Sequence, residues 1–258
     1  MKTALNNRFE NEIEHGRMLA GQDPEAIWNW KTPAGQCRAR RRARLIAEGA
    51  RLRPGQRVLE IGCGTGMFTE WFAESGAHIL GVDISAELIV KARQRGLSPE
   101  KVSFLQRPFE ECTLDGPFDA VIGSSILHHL DVEAALPKIL ALLKPGMWLS
   151  FAEPNFLNPQ VFLERKLHRW SYFSYTSPDE TAFVRWSLAG QLREVGFANI
   201  GIVPRDWLHP RTPGWMIPAV RGMGWIIERL PVLREFSGSV YITAQKPRHA
   251  EPARYRAA

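Results

Sequence analysis

The run Val58-Leu59-Glu60-Ile61 is apolar apart from one carboxylate, and it leads straight into Gly62-Cys63-Gly64-Thr65-Gly66. Alternating glycines let a backbone approach a ligand where a Cβ would clash, and they take φ > 0 at little cost. A second apolar run, Ile79-Leu80-Gly81-Val82, ends on Asp83, which lies 21 residues beyond Gly62. A carboxylate at that separation, at the end of the next parallel strand, is placed to accept hydrogen bonds from ribose hydroxyls. Together the two segments are suited to holding an adenosine-type cofactor at the edge of a sheet.

A dinucleotide fingerprint reads G-x-G-x-x-G, its last glycine permitting close helix packing. Here the glycines stand at 62, 64 and 66, and Met67 occupies the position of that last glycine, which disfavours a nicotinamide dehydrogenase. The pattern G-x-G-x-G behind Glu60 resembles the first motif of class I S-adenosylmethionine-dependent methyltransferases, small-molecule branch. The resemblance continues through Gly81-Val82-Asp83-Ile84-Ser85, Phe118-Asp119-Ala120-Val121-Ile122, Ile126-Leu127-His128-His129-Leu130 and Leu143-Lys144-Pro145-Gly146. These segments span residues 55 to 155 in the family's order and at its spacing.

The resemblance implies S-adenosyl-L-methionine as cofactor and assigns roles residue by residue. Glu60 would approach the methionine amino group, often through water, and Gly62, Cys63, Gly64 and Gly66 would bring backbone against the methionine and ribose portions. Asp83 would take the ribose hydroxyls, Ile84 would pack on adenine, and Ser124 would meet the methionine moiety. One wall departs from the family: many members carry an acidic residue near 108, where this chain has Gln106-Arg107-Pro108-Phe109-Glu110. Arg107, Pro108 and Phe109 are the expected adenine wall there, with the Phe109 N–H facing the ring and Glu110 in the acidic role. For catalysis the candidates are His128 and His129 as general base and Glu153, with Asn155, as a substrate contact. Each has a structural alternative, the histidines as packed side chains and Glu153 and Asn155 as caps of the turn at Pro154.

These residues must be positioned by strands and helices. Apolar or β-branched runs predict strands at Arg57 to Ile61, His78 to Val82, Val102 to Gln106, Phe118 to Ile122 and Met147 to Ala152, with helices at Thr69 to Ser75, Ala86 to Arg95 and Val132 to Leu143. Alternation of the two implies right-handed βαβ units and a parallel sheet covered on both faces, with a ligand at the carboxyl edge of the strands. Asp179 to Val195 reads as a further helix stopped by Gly196. Ile200 to Val203 and Val240 to Thr243 read as the last two strands, which in the resembling family form an antiparallel hairpin. The expected fold is therefore α/β, Rossmann-like and doubly wound, with a mostly parallel seven-stranded sheet.

The resemblance implies that residues 1–50 form an N-terminal helical lid, with Trp28 and Trp30 serving as lid wall or as a staple to the core, and that 51–258 form the methyltransferase domain. Two insertions interrupt that domain. The first, about 155–178, carries His168, Trp170, Tyr172, Phe173 and Tyr175. The second, 204–238, is rich in Pro, Trp, Gly and Met, and Ile217 to Leu230 within it has the apolar spacing of an amphipathic cap helix. It reads either as internal packing or as a surface for a lipid-like substrate or a membrane.

Composition narrows the classes. The 258 residues are 45% hydrophobic and 23% charged, as in an ordinary globular protein, and no apolar run approaches the roughly 18 residues that cross a bilayer. The N-terminus lacks the apolar core of a signal peptide, so a cytoplasmic location is expected. Cys37, Cys63 and Cys112 lack C-x-x-C spacing and predict neither disulfides nor a metal site. The net charge of +6 owes much to Arg38, Arg40, Arg41, Arg42 and Arg44, which read as a solvated helix face, with contact to an anionic substrate or headgroup as the functional alternative.

The leading expectation is methyl transfer to oxygen, nitrogen or carbon of a small acceptor, apolar or lipid-linked on the evidence of the aromatic insertions. A non-catalytic cofactor-binding partner subunit is the alternative. Nucleic acid is disfavoured, because strand four ends in Ser124-Ser125-Ile126 rather than the Asn/Asp-Pro-Pro-Tyr/Phe of amino-methylating nucleic-acid enzymes. Peripheral membrane contact and oligomeric state stay open.

Overall fold

A computed structural model of the chain describes residues 2–166 and 182–248. The chain opens with α1 (Lys2–Ala20), α2 (Pro24–Ile27) and α3 (Pro33–Ala50), and then alternates β1 (Arg57–Ile61), α4 (Met67–Ala73), β2 (His78–Asp83), α5 (Ala86–Arg93), β3 (Val102–Gln106), β4 (Phe118–Ser124), α6 (Val132–Leu142) and β5 (Leu143–Pro154). There follow α7 (Pro159–Lys166), α8 (Arg185–Val195), β6 (Ala198–Arg205), α9 (Ile217–Ile227) and β7 (Ser239–Gln245). His168, Trp170, Tyr172, Phe173 and Tyr175 of the first insertion lie outside the described residues.

The seven strands form one sheet in the order β3-β2-β1-β4-β5-β7-β6. Neighbours from β3 to β5 are parallel, whereas β7 runs antiparallel to both β5 and β6. The order reverses at β1 and β4, so the carboxyl ends of β1, β2 and β4 open onto the crevice where a ligand fits such a sheet. The Rossmann-like expectation, including its antiparallel hairpin, is what the chain adopts.

Local chemistry sets the helix ends. Thr32 accepts from the Gly35 N–H at 2.9 Å to cap α3, and Ser85 accepts from the Leu88 N–H at 3.2 Å to cap α5; a cap of this kind is worth about 1 kcal/mol. Gly196, at φ +106°, stops α8 as expected. Residues 179–181 of the expected helix lie outside the described residues; among those described the helix begins at Arg185, and Phe183 just before it bridges Asn155 beside β5.

One face of the sheet is covered by α3 and α4 through Ile46, Val58, Phe72 and Ile79, and the other by α6 and α8 through Leu136, Ile139, Leu188 and Leu192. Phe72, Phe118 and Phe151 are fully buried, each contributing on the order of 2 kcal/mol by leaving water. Among the described residues no helix is long and apolar enough to cross a membrane.

The arginine cluster departs from its solvated reading. Arg44 pairs with Glu48 at the surface, but Arg42 is buried, donating to Ser125 Oγ and Ser239 Oγ at 2.6 Å, and Arg41 clamps Glu228 with bonds of 2.8 and 2.6 Å. The reason is the second insertion, which returns Asp206 and Glu228 against α3. Asp206 sits 3.3 Å from Arg41 and accepts from the Tyr241 hydroxyl at 2.8 Å. Burial would raise the Asp206 carboxyl, but Arg38, Arg42 and Arg41 outweigh it and hold the group below the usual carboxylate range.

Candidate active site

A cavity of about 1080 Å³ opens at the carboxyl edge of β1, β2 and β4. That is slightly above the roughly 300–1,000 Å³ usual for small-molecule sites. Its floor is the turn after β1, where Gly62, Gly64 and Gly66 take φ of +68°, +51° and +75°. A Cβ on Gly64 would meet no protein atom nearer than Trp28 at 3.9 Å. The space above that backbone is therefore open for a ligand.

Asp83 closes the next side. Its oxygens accept from the Gly64 N–H at 2.8 Å and the Ser85 N–H at 2.9 Å, which leaves acceptor positions for a ribose diol. Burial raises its carboxyl above the ordinary value, only partly countered by those two donors. Ile84 and Leu88 continue the wall, while Ser124 and Ser125 form the opposite side. Cys63 also lines the cavity, and burial pushes its thiol well up, leaving it a neutral, inert group.

Glu60 stands one layer behind the floor. It is fully buried, accepts from Thr69 Oγ1 at 2.6 Å, and burial pushes its carboxyl up to about 8, with the nearby Asp83 charge adding to the rise. Arg107, Pro108 and Phe109 are not brought to the cavity. Arg107 is exposed and donates its backbone N–H to the Asp83 carbonyl at 2.9 Å, whereas Phe109 is buried beneath Lys138. Glu110 accepts from the Asp131 N–H at 3.2 Å, at the cap of α6.

The two histidines follow β4 in a tight 3-10 turn, their rings 4.1 Å apart, and part company in their partners. His128 Nδ1 lies 2.7 Å from Glu153 Oε2, while Glu153 Oε1 accepts from the N–H groups of Ile126 at 3.0 Å and Leu127 at 2.9 Å. Burial alone would raise Glu153, yet the hydrogen bond and charge of His128 with the two N–H donors hold it below its ordinary value. Glu153 is thus a buried anion aimed at an imidazole on the cavity wall. His129 Nδ1 instead lies 3.0 Å from Glu12 Oε2 on α1. Asn155 has no place at the cavity: its side chain donates to the carbonyls of Glu235 and Ser237, tying down the second insertion.

Trp28 and Trp30, named from the sequence as lid wall or staple, line the cavity from the turn after α2. Other lining residues had no sequence signal: Glu12, His15 and Leu19 come from α1, and His209, Pro210 and Arg211 from the second insertion. A latch joins α2 to the glycine turn: Thr65 donates to Glu25 at 2.9 Å, and Arg95 pairs with Glu25 and donates to the Thr65 carbonyl at 2.6 Å. These contacts join residues tens of positions apart, and neither spacing nor periodicity announces them.

Residues 35–201 match the model of a methyltransferase domain. The chain belongs to this methyltransferase family. Among its curated relatives, this methyltransferase is 33% identical over 199 residues to the ubiquinone biosynthesis O-methyltransferase of Bordetella parapertussis, covering 70% of this chain and 78% of the relative. It is 36% identical over 154 residues to the enzyme of that name from Xanthomonas axonopodis, covering 58% and 63%. Among solved structures, the N-methyltransferase NodS of Bradyrhizobium japonicum, in complex with S-adenosyl-L-homocysteine, superposes with a TM-score of 0.63 at 17% identity, covering 92% of this chain and 99% of that one. That last likeness bears on the fold. The enzyme is an S-adenosylmethionine-dependent methyltransferase, and the open space over Gly64 beside the Asp83 acceptors fits an adenosyl group.

Proposed function

We propose that this methyltransferase modifies a hydroxyl oxygen on an apolar, lipid-linked acceptor, with His128 as the general base. The carrying observation is the buried Glu153 at 2.7 Å from His128 Nδ1. Bound S-adenosylmethionine supplies a methyl group already activated on a sulfonium. What remains for the chain is to align the acceptor, exclude water and receive a proton. Glu153 holds the His128 ring in the cavity wall through Nδ1, and its anion stabilises the imidazolium that results when the ring takes that proton. A hydroxyl must lose its proton on methylation, so an oxygen acceptor gives this dyad a use. The name O-methyltransferase in ubiquinone biosynthesis, carried by the Bordetella relative, supports both the atom and the apolar acceptor.

In the same reading Asp83 holds the ribose diol and the backbone of Gly62 to Gly66 follows the cofactor. Ile84 packs on adenine beside Leu88, and Ser124 meets the methionine end, with Glu60 reaching the ammonium through an intervening water. His129 serves a different end, tying α1 over the cavity as part of a lid made by residues 1–50. The three free thiols suit a reducing, cytoplasmic compartment.

The test is turnover with labelled methyl donor and a phenol bearing a long apolar tail. His128→Ala should lower kcat by roughly 10²–10⁴-fold while S-adenosylhomocysteine binds as in the wild type. Wild-type turnover by that variant, or label appearing on an amine and never on a hydroxyl, would overturn the reading.

A further inference from the structure

The second insertion carries the largest concentration of exposed apolar side chains on the described surface. Trp215 is 82% exposed, Val232 72% and Trp225 60%, and Met223, Ile226, Leu230, Leu233 and Phe236 are each exposed by more than two-fifths. Soluble surfaces seldom gather such residues into one patch unless something covers it. The α9 helix explains how they come to face outward. Its inner face, Ile217, Val220 and Gly224, already seats on Ala34, Leu208 and Trp207, so Met223, Trp225 and Ile226, each more than half exposed, belong to a second apolar face. A helix that is apolar all round is normally enclosed, yet this one is covered on one side only.

Charge selects the occupant. Between Leu208 and Phe236 the only carboxylates are Glu228 and Glu235, and both are turned inward, Glu228 to Arg41 and Arg205 and Glu235 to Arg185. Arg211, Arg221 and Arg229 remain exposed around the apolar side chains, with Arg229 stacked 3.3 Å over Trp225. Tryptophans beside arginines, with acids withdrawn, match the boundary between anionic headgroups and acyl chains. A second copy of the chain would present the same positive rim to itself.

We propose that α9 and the turns on either side of it form a docking surface for an anionic lipid bilayer. Trp215, Met223, Trp225 and Ile226 enter the interface and Arg221 and Arg229 meet the headgroups. Arg211 lines the catalytic cavity only four residues before Trp215, so the docking surface adjoins the cavity lining. The surface stands on its own observations, independent of which atom is methylated.

The test is co-sedimentation of the full-length protein with vesicles of phosphatidylcholine alone and of phosphatidylcholine with phosphatidylglycerol, alongside its mass in solution by light scattering. Binding should require the anionic lipid, weaken with salt, and fall about fivefold for each of Arg221→Ala and Arg229→Ala. Trp215→Ser/Trp225→Ser should fall further still, with unchanged affinity for S-adenosylhomocysteine as the folding control. Absence of binding to anionic vesicles, binding that the Trp pair leaves untouched, or a dimer that the Trp pair converts to monomer would each overturn it.

Discussion

Glu153 gives one oxygen to His128 Nδ1 at 2.7 Å and the other to two backbone N–H groups, and no part of its side chain reaches solvent. The carboxylate is therefore fixed from both ends before any substrate arrives, and the imidazole inherits that fixity. Preorganised charge of this kind acts without the reorganisation that water would require.

Replacing Glu153 by Gln tests the arrangement, because an amide cannot accept at both oxygens and must turn its NH2 toward either His128 or the Ile126 and Leu127 donors. The expected cost is about 2–3 kcal/mol of stability and a kcat lower by roughly 10²-fold or more. A pH signature separates positioning from packing. The Glu153 carboxyl is held low in the folded state, so its contribution is present above the ordinary carboxylate range and is lost as pH falls through the depressed value. Acid unfolding curves of the wild type should show that loss, and those of the Gln variant should lack it.

Glu60 predicts the opposite slope. Its folded value of about 8 lies above its ordinary 4.5, so between those limits the folded chain keeps a proton that the unfolded chain releases. Stability then falls as pH rises through that window, by up to about 1.4 kcal/mol per unit for this group. Glu60→Gln keeps an acceptor for Thr69 and removes the titration. Urea unfolding at pH 5, 6, 7 and 8 should show the variant gaining on the wild type at each step, and a constant difference would refute the assignment.

The parallel sheet, the glycine turn and Asp83 were legible in sequence because each is written locally, as an apolar run, a φ requirement or a strand end. The hairpin of β6 and β7 came through the family resemblance. What escaped is written at long range. Arg42 looked like one of five solvated arginines until Asp206, more than 160 positions later, came back against it, and Phe109 looked like a cavity wall until α6 covered it. The bridge from Asn155 to Phe183 ahead of α8 is likewise long-range.

The Arg42 network yields a third prediction. Asp206 lies 4.0 Å from Arg42 and accepts from Tyr241, with Arg41 at 3.3 Å. Asp206→Ala leaves the buried Arg42 guanidinium without its anion, a change that costs about 3–5 kcal/mol and should lower the melting temperature by several degrees. Arg42 also holds Ser125, which has φ +55° and lines the cavity. The variant at low temperature should therefore bind S-adenosylhomocysteine more weakly than the wild type, as measured by calorimetry.

Two glycines of one turn should fail for different reasons. A Cβ on Gly62 would sit 2.4 Å from Ile126 Cγ1, whereas one on Gly64 meets nothing of the protein within 3.5 Å and projects toward the cavity. Both positions carry positive φ, which costs an alanine roughly 1 kcal/mol. Gly62→Ala adds overpacking of about 1–3 kcal/mol and should lower the melting temperature clearly. Gly64→Ala should fold nearly as well as the wild type but lose cofactor affinity by roughly tenfold or more, because its methyl occupies space that the ligand needs. Thermal melts with and without S-adenosylhomocysteine separate the two. The Gly62 variant melts low yet gains from the ligand, and the Gly64 variant melts near the wild type and gains little.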